Sequence, residues 1–486
     1  MRLSKALEQI SNEKLVSFHM PGHKNGQIDI FGLTEEKLLS YDITEIPGAD
    51  HLHGAESCIK ETELAIARFY NAFSSKMLIN GSTVGLLSAI MGVTIPGDQI
   101  LVNRNAHKSI YNAIEMHRLN PVYVYPLVDN KLGIPTDLTL DTVKDALMNQ
   151  PEIKACVLTY PTYEGLCYDI KSIIELCHSK NIVVIVDEAH GPHFILNKTG
   201  PKSALELGAD LVIQSFHKTM PSLTQTAVLH VGKNHILTDA QIERLNWHLG
   251  ALQSSSPSYL LMYAMDQMLI QVEKNGTRLM QKTLIWLDEF YDKCESFRHL
   301  KIFTFKKGDP TKFAITLKAD SITRINRSMY DLSNLLRNKY QIQSEYVSER
   351  LILMMASIAN LESDYDRLFD ALVEIDLEMA VFMPEINESE SREVPIADLK
   401  NDICQYDLVY DAIKNGQTKV YNASDVIYLS SENVNLASSI GRIAKEYIVP
   451  YPPGIPILVP GERIIEATLA LFPKEVEQVK CLIEVK

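Results

Sequence analysis

Hydrophobic and polar positions alternate along the first half of the chain in a regular way. Between residues 76 and 231, short runs rich in aliphatic residues are separated by longer amphipathic stretches. The runs 76–79, 99–102, 121–125, 155–158, 182–186, 210–213 and 227–231 read as seven strands, with helices in most of the gaps. That alternation predicts an α/β fold with a mostly parallel sheet. "NIVVIVDE" (181–188) is apolar on both faces, as a strand covered by helices on each side must be. From Pro257 the period changes. Leu261, Ala264, Met265, Met268, Leu269 and Val272 recur at helical spacing, and the pattern resumes through Leu279, Thr283, Trp286, Leu287 and Phe290. One long helix suited to joining two domains is predicted. "HLKIFTF" (299–305) and "KFAITLKA" (312–319) then read as strands of a smaller α+β unit.

Length and charge narrow the picture. The 486 residues exceed what one compact core organises, so two or three domains are expected. With 47 basic and 61 acidic side chains the net charge is −14. That excludes a nucleic-acid surface and would not repel a cationic substrate. The seven cysteines (58, 156, 167, 177, 294, 404 and 481) are scattered, with no C-x-x-C pair. They are expected as reduced thiols, neither a disulfide frame nor a zinc site. The N-terminal stretch is charged every few residues, unlike a signal peptide, and the apolar stretch 86–95 is too short to cross a bilayer. A cytoplasmic protein without membrane or metal partners is expected. The first sixty residues mix Gly, Pro, His and acidic residues with little periodicity, as in "MPGHKNGQ" (20–27).

Candidate chemistry sits where an open parallel sheet binds ligands, beyond the carboxyl ends of its strands. After the first predicted strand comes Asn80-Gly81-Ser82-Thr83, leading into a helix. Free N–H groups, the helix dipole and hydroxyls there suit a phosphate, although simple capping by Ser82 or Thr83 explains the same residues. "NRNAHKS" (103–109) places His107 before another helix, and "TYPTYEG" (159–165) places Thr162 and Glu164 in a loop. "DEAHG" (187–191) ends an apolar strand on Asp187, and "SFHK" (215–218) brings Ser215, His217 and Lys218 together. One ligand satisfies all of these: pyridoxal 5′-phosphate. Its phosphate needs a helix N-terminus and hydroxyls (Ser82, Thr83, Ser215). Its pyridine nitrogen needs a carboxylate (Asp187), its aldehyde needs a lysine (Lys218), and His107 is placed to stack on its ring. Singly, each has a bland reading as a cap, a solvent-facing lysine or a structural histidine. A metal reading of Glu188, His190 and His193 is weaker, because H-G-P-H is interrupted by proline.

The motifs "FHMPGHKNG" (18–26), "TEIPGADHLHG" (44–54), "NGST" (80–83), "NRNAHKS" (103–109), "YPTYEG" (160–165), "VDEAHGPHF" (186–194), "SFHKTMPSLTQTA" (215–227) and "YPPGIPILVPGE" (451–462) span nearly the whole chain. In them the sequence resembles the Orn/Lys/Arg decarboxylases, basic amino acid decarboxylases with an aspartate-aminotransferase-type fold. The resemblance implies a Schiff base on Lys218, Asp187 at the pyridine nitrogen and His107 on the ring. It implies phosphate contacts from Ser82, Thr83, Ser215 and His217, with Thr162 near the ring hydroxyl; Gly81 and His190 complete the expected cofactor set. It also implies an active site at a subunit interface, in a homodimer or dimer of dimers, without the N-terminal wing that longer members carry. The expected division is 1–60, a segment contributing to the dimer and site; 61–297, the cofactor-binding domain ending in the long helix; and 298–486, the C-terminal part.

The expected reaction is α-decarboxylation of a basic L-amino acid, arginine before lysine or ornithine, as in polyamine biosynthesis. Lys218, His107 and His217 are the catalytic candidates, with Lys218 or His217 as the Cα proton donor. Glu45, Asp50, Glu164 and Glu462 are candidates to meet a cationic side chain. An aminotransferase or lyase on the same fold is the competing enzyme, with Arg442 or Arg463 as its carboxylate clamp. A catalytically silent regulatory relative is the non-enzyme alternative, and the intact Lys218 and Asp187 argue against it.

Overall fold

The structure, a computed structural model, describes residues 2–28, 35–129, 131–305, 307–318, 328–381, 420–451, 454–469, 471–473 and 476–483. β1 (Val16–Phe18) precedes the main sheet. β2 (Ser74–Leu78), β3 (Gln99–Asn103) and β4 (Asn120–Val124) follow, then a small hairpin of β5 (Val128–Asp129) and β6 (Ile134–Pro135). β7 (Ile153–Thr159), β8 (Val183–Asp187), β9 (Leu211–Gln214) and β10 (Ala227–Val231) complete a seven-stranded sheet of order β2-β10-β9-β8-β7-β3-β4. β10 alone runs opposite to the other six strands. All seven predicted strands are present, shifted by two residues or fewer at every end.

The reason is visible in the burial. Every residue of β8, β9 and β10 is buried, and successive residues feed opposite faces. Met77, Val184 and Val212 join one hydrophobic layer, whereas Leu78, Ile185 and Ile213 join the other. The helix Gly81–Val93 covers the second layer beside the helix Asp239–Leu252.

The long predicted helix runs over Tyr259–Cys294, 36 residues, with the Ser258 hydroxyl accepting from the Leu261 N–H. Its first half contributes Met262, Met265, Met268 and Val272 to the core of the large sheet. Its last turns give Leu287, Phe290 and Cys294 to a separate core. That second core packs on β11 (Leu300–Thr304), β12 (Lys312–Leu317), β13 (Ile342–Ser344), β14 (Tyr346–Val347) and β15 (Ile352–Met355). Four of these form a sheet of order β11-β12-β15-β14, while β13 pairs in parallel with β1. The pairing ties the N-terminal segment to the smaller domain. Finally β16 (Ser431–Asn435) and β17 (Gln478–Leu482) form an antiparallel pair over a small core of Ala444, Ile448, Leu458, Ile464 and Val479. No described helix is long and apolar enough to cross a membrane. Six of the seven cysteines are free thiols, and Cys404 lies outside the described residues.

Candidate active site

β9 ends at Gln214, and the chain turns at once into the short helix Phe216–Thr219 that carries Lys218. Phe216 is fully buried and stacked under Tyr70, ring centroids 5.9 Å apart, which fixes the turn. The Lys218 Nζ lies 3.1 Å from Nε2 of His190. On the other side of that ring, Nδ1 lies 3.0 Å from Nζ of Lys312, which also donates to the Tyr163 carbonyl at 2.6 Å. Burial lowers the pKa of the Lys218 amine, and the carboxylates of Asp187 and Glu345 draw it back up. Burial, then Lys218 and Lys312, hold the His190 imidazole well below its usual range, so it is neutral. Asp187 closes β8, in register opposite Ile213 of β9, and accepts from the Ala189 N–H at 3.1 Å. Burial raises its carboxyl, while Lys218 and that N–H oppose the rise.

The neighbouring helix Gly81–Val93 begins at Asn80, whose side chain makes no capping bond; its Oδ1 instead accepts from the Ser254 N–H at 3.3 Å. Ser82 and Thr83 lie inside the first turn and do not cap it, so the helix start keeps N–H groups for an anion. The Ser215 hydroxyl is fully buried and has no hydrogen-bond partner among the described residues. A buried hydroxyl costs stability unless something bonds it, and a phosphate oxygen would. These residues fit pyridoxal 5′-phosphate. His217 directs Nδ1 at the Thr226 carbonyl, 3.1 Å away, which leaves Nε2 as its second polar atom. Burial, only partly offset by that bond, brings its pKa to about 4.

His107 sits at the start of the helix Lys108–Met116, and its Nδ1 accepts from Ser109 Oγ and N at 2.8 and 3.2 Å. Gly454 of the proline-rich loop covers the ring. A Cβ on Gly454 would come within 2.9 Å of His107 Cδ2 and Nε2, and its φ of +82° disfavours any side chain. Gly454→Ala is therefore expected to strain the loop by about 1–3 kcal/mol and displace the ring. Titration of the purified variant with pyridoxal phosphate should show affinity weakened about tenfold.

Buried Arg104 anchors the same loop, donating to the Pro456 and Ile457 carbonyls at 2.7 and 3.2 Å and pairing with Glu462 at 3.3 Å. Arg104→Met would leave the Glu462 carboxylate buried without its cation. A loss of about 3–5 kcal/mol in unfolding free energy is expected, read from denaturant midpoints. Pro452 and Pro453 lie outside the described residues.

The four acidic substrate candidates part company. Glu462 is engaged by Arg104 and by the Val459 N–H. Asp50 accepts from the backbone N–H groups of His51, Glu56, Ser57, Ile59 and Lys60, capping the helix Cys58–Phe69. Burial opposes its ionisation, but these bonds win and bring its pKa to about 2. Glu45 is exposed. Glu164 is buried, and burial raises its carboxyl against the pull of Thr162 and Lys312. Thr162 is also buried, its hydroxyl accepting from the Leu166 N–H at 3.1 Å. Arg442 bonds Glu432 and the Leu482 carbonyl, and Arg463 bonds the Gly441 carbonyl, so both serve the small β16–β17 unit. Glu188 turns to Ser203 and Ala204, His193 to Asp309, and His190 to the two lysines; they do not converge as metal ligands.

Sequence reasoning missed Lys312, Tyr163 and Glu345. The Tyr163 hydroxyl donates to Glu345 at 2.6 Å, and the Met20 N–H donates to the other carboxylate oxygen at 2.8 Å. The N-terminal motif reaches this chain's own lysine turn: Gly22 donates to the His217 carbonyl at 2.8 Å, and a Cβ on it would lie 2.6 Å from Met220 O.

The model of the Orn/Lys/Arg decarboxylase major domain matches residues 2–360, and that of the family's C-terminal domain matches residues 417–477. An arginine decarboxylase of Halalkalibacterium halodurans is 34% identical over 94% of this chain and 89% of its own length. One of Bacillus subtilis is 30% identical over 97% and 92%. In structure, the lysine decarboxylase of Francisella novicida aligns with a TM-score of 0.74 at 18% identity, covering 99% of this chain and 81% of that one, a likeness of fold. With matches spanning most of its length and a lysine site built at the strand ends, the chain belongs to the Orn/Lys/Arg decarboxylase family.

Proposed function

We propose that the protein decarboxylates L-arginine to agmatine with pyridoxal 5′-phosphate carried on Lys218. The observation that carries the reading is the Lys218 amine, half-buried just past the end of β9 beside the strand that ends in Asp187. Ser215, the N–H groups of the Gly81–Val93 helix start and His217 Nε2 would hold the phosphate; Asp187 would hold the pyridine nitrogen and His107 the ring. When bound, the cofactor supplies an electron sink for the pair left behind by departing carbon dioxide. Asp187 keeps a proton on the ring nitrogen, which a buried carboxylate does well because little water competes for its charge. Lys218 Nζ would deliver the proton that Cα takes up once carbon dioxide has left, with His190 Nε2 in reach to steady it. His217 is neutral at working pH with Nδ1 committed to Thr226, which favours Lys218 over it as proton donor. The site carboxylates left to meet a cationic side chain are Glu164 and Glu345.

Arginine is preferred because both curated relatives named above are arginine decarboxylases. A homodimer in the cytoplasm, serving polyamine synthesis, with the domain division 1–60, 61–297 and 298–486, completes the proposal. Light scattering tests the dimer, and limited proteolysis tests the division. Incubation with arginine, lysine and ornithine, scoring amine, carbon dioxide and keto acid, tests the activity. Agmatine and carbon dioxide in equal amounts are expected from arginine. Keto acid in place of carbon dioxide would establish the aminotransferase reading instead.

A further inference from the structure

The mechanism above leaves the buried amine of Lys312, next to the site, without a task. Lys312 lies 94 residues beyond Lys218 in sequence, on β12 of the smaller domain, yet only an imidazole separates their amines. His190 touches Lys218 with Nε2 at 3.1 Å and Lys312 with Nδ1 at 3.0 Å. A neutral imidazole has one N–H and one acceptor, so the two lysines cannot both donate to it. One amine must give a proton to the ring and the other must take one.

We propose that Lys312 is a positioning residue that, through His190, presents a neutral, nucleophilic Lys218 amine to the cofactor. The inference rests on the reading of Lys218 as the cofactor-bearing amine. Two features decide which lysine donates. The 2.6 Å bond from Lys312 to the Tyr163 carbonyl is as short as a charge-assisted bond. Asp309, Glu345 and Glu164 all surround Lys312, whereas Lys218 has Asp187 and shares Glu345. Burial lowers Lys312 only to about 8, so it is charged at neutral pH. Lys312 therefore donates to Nδ1, and the Nε2–H of His190 points at the Lys218 lone pair. His107 and His217 also face the ring, and both are neutral in this range. If the Nε2 proton moves to Lys218 while Lys312 supplies one to Nδ1, the imidazole ends neutral and one proton has passed from Lys312 to Lys218. This gives Lys218 a route for exchanging protons that does not need water.

The test uses the full chain freed of cofactor. Reductive methylation of Lys218 is followed by peptide mass spectrometry from pH 6 to 10, a readout independent of decarboxylation. Lys312→Met is expected to raise the pH midpoint of Lys218 reactivity by about one unit, a roughly tenfold slower reaction at pH 7.5. Lys312→Arg, which keeps a charged donor, is expected to stay within about twofold of the parent. In a His190→Ala background, Lys312→Met is expected to cause no further shift, because the link is already cut. The same shift with and without His190 would overturn the proposal, since Lys312 would then act as a nearby charge only. Ring-nitrogen spectra of [15N]histidine-labelled parent protein, assigned with His190→Gln, give a second readout that needs no folded Lys312 variant. An Nε2–H tautomer is expected, and an Nδ1–H tautomer would refute the relay. Failure of Lys218 to trap pyridoxal phosphate would sink the functional reading but leave these midpoints interpretable.

Discussion

Lys218→Ala is expected to reduce amine formation by roughly four orders of magnitude or more, because both the covalent anchor and the proton-handling amine disappear together. Among the described residues no nearby amine is placed to take over. Lys312 is the other amine on the His190 ring, but it is committed to the Tyr163 carbonyl and sits on the far side of the imidazole. Lys24, also fully buried, donates to the His19 and Met355 carbonyls. The fold should survive the change, since alanine removes a half-buried amine whose desolvation is unfavourable and leaves Phe216 to anchor the turn. Product assays beside circular dichroism check both halves. Retention of more than about one per cent of activity in a folded variant would mean that another lysine carries the chemistry.

Asp187→Asn is the second large effect. Asparagine has the shape to accept from the Ala189 N–H, so β8 and its neighbours should stand unchanged. On the proposed reading, what disappears is the negative charge that would stand beside the cofactor ring, and with it the hold on the ring-nitrogen proton. A fall of about 10²–10³ in kcat is expected, typical of removing one preorganised electrostatic group from a dry site. Stability should hold or rise slightly, because a carboxylate buried at 4% exposure is removed. Borohydride trapping at Lys218 should persist. Full activity in Asp187→Asn would show that the carboxylate does not face the cofactor.

The contrast between these residues and the acidic candidates shows what could be read from sequence. The seven strands were legible because each is an apolar run whose residues serve two covered faces, as in β8 and β9. The antiparallel sense of β10 was not, since Ala227–Val231 is as apolar as the mutually parallel strands of the sheet. Lys218, Asp187, His107 and Ser215 stood out as candidates because each lies at, or within four residues after, the end of a strand. Asp50 and Glu462 looked like substrate carboxylates because sequence shows a charge and hides its partners. The partners are five backbone N–H groups in one case and Arg104, 358 residues away, in the other. Lys312 and Glu345 escaped for the same reason. Lys312 lies in an ordinary strand pattern, and its meaning comes from His190, 122 residues earlier. Glu345 is defined by Tyr163 and Met20, contacts that join three separate segments of the chain.

The most direct test is to locate the cofactor. The purified full-length protein is loaded with pyridoxal 5′-phosphate, reduced with borohydride, digested and mapped by mass spectrometry. A phosphopyridoxyl group on the peptide containing Lys218, at close to one per chain, is the expected result. Label on Lys312 or Lys24, or no label above that of Lys218→Ala, would contradict the assignment of the site.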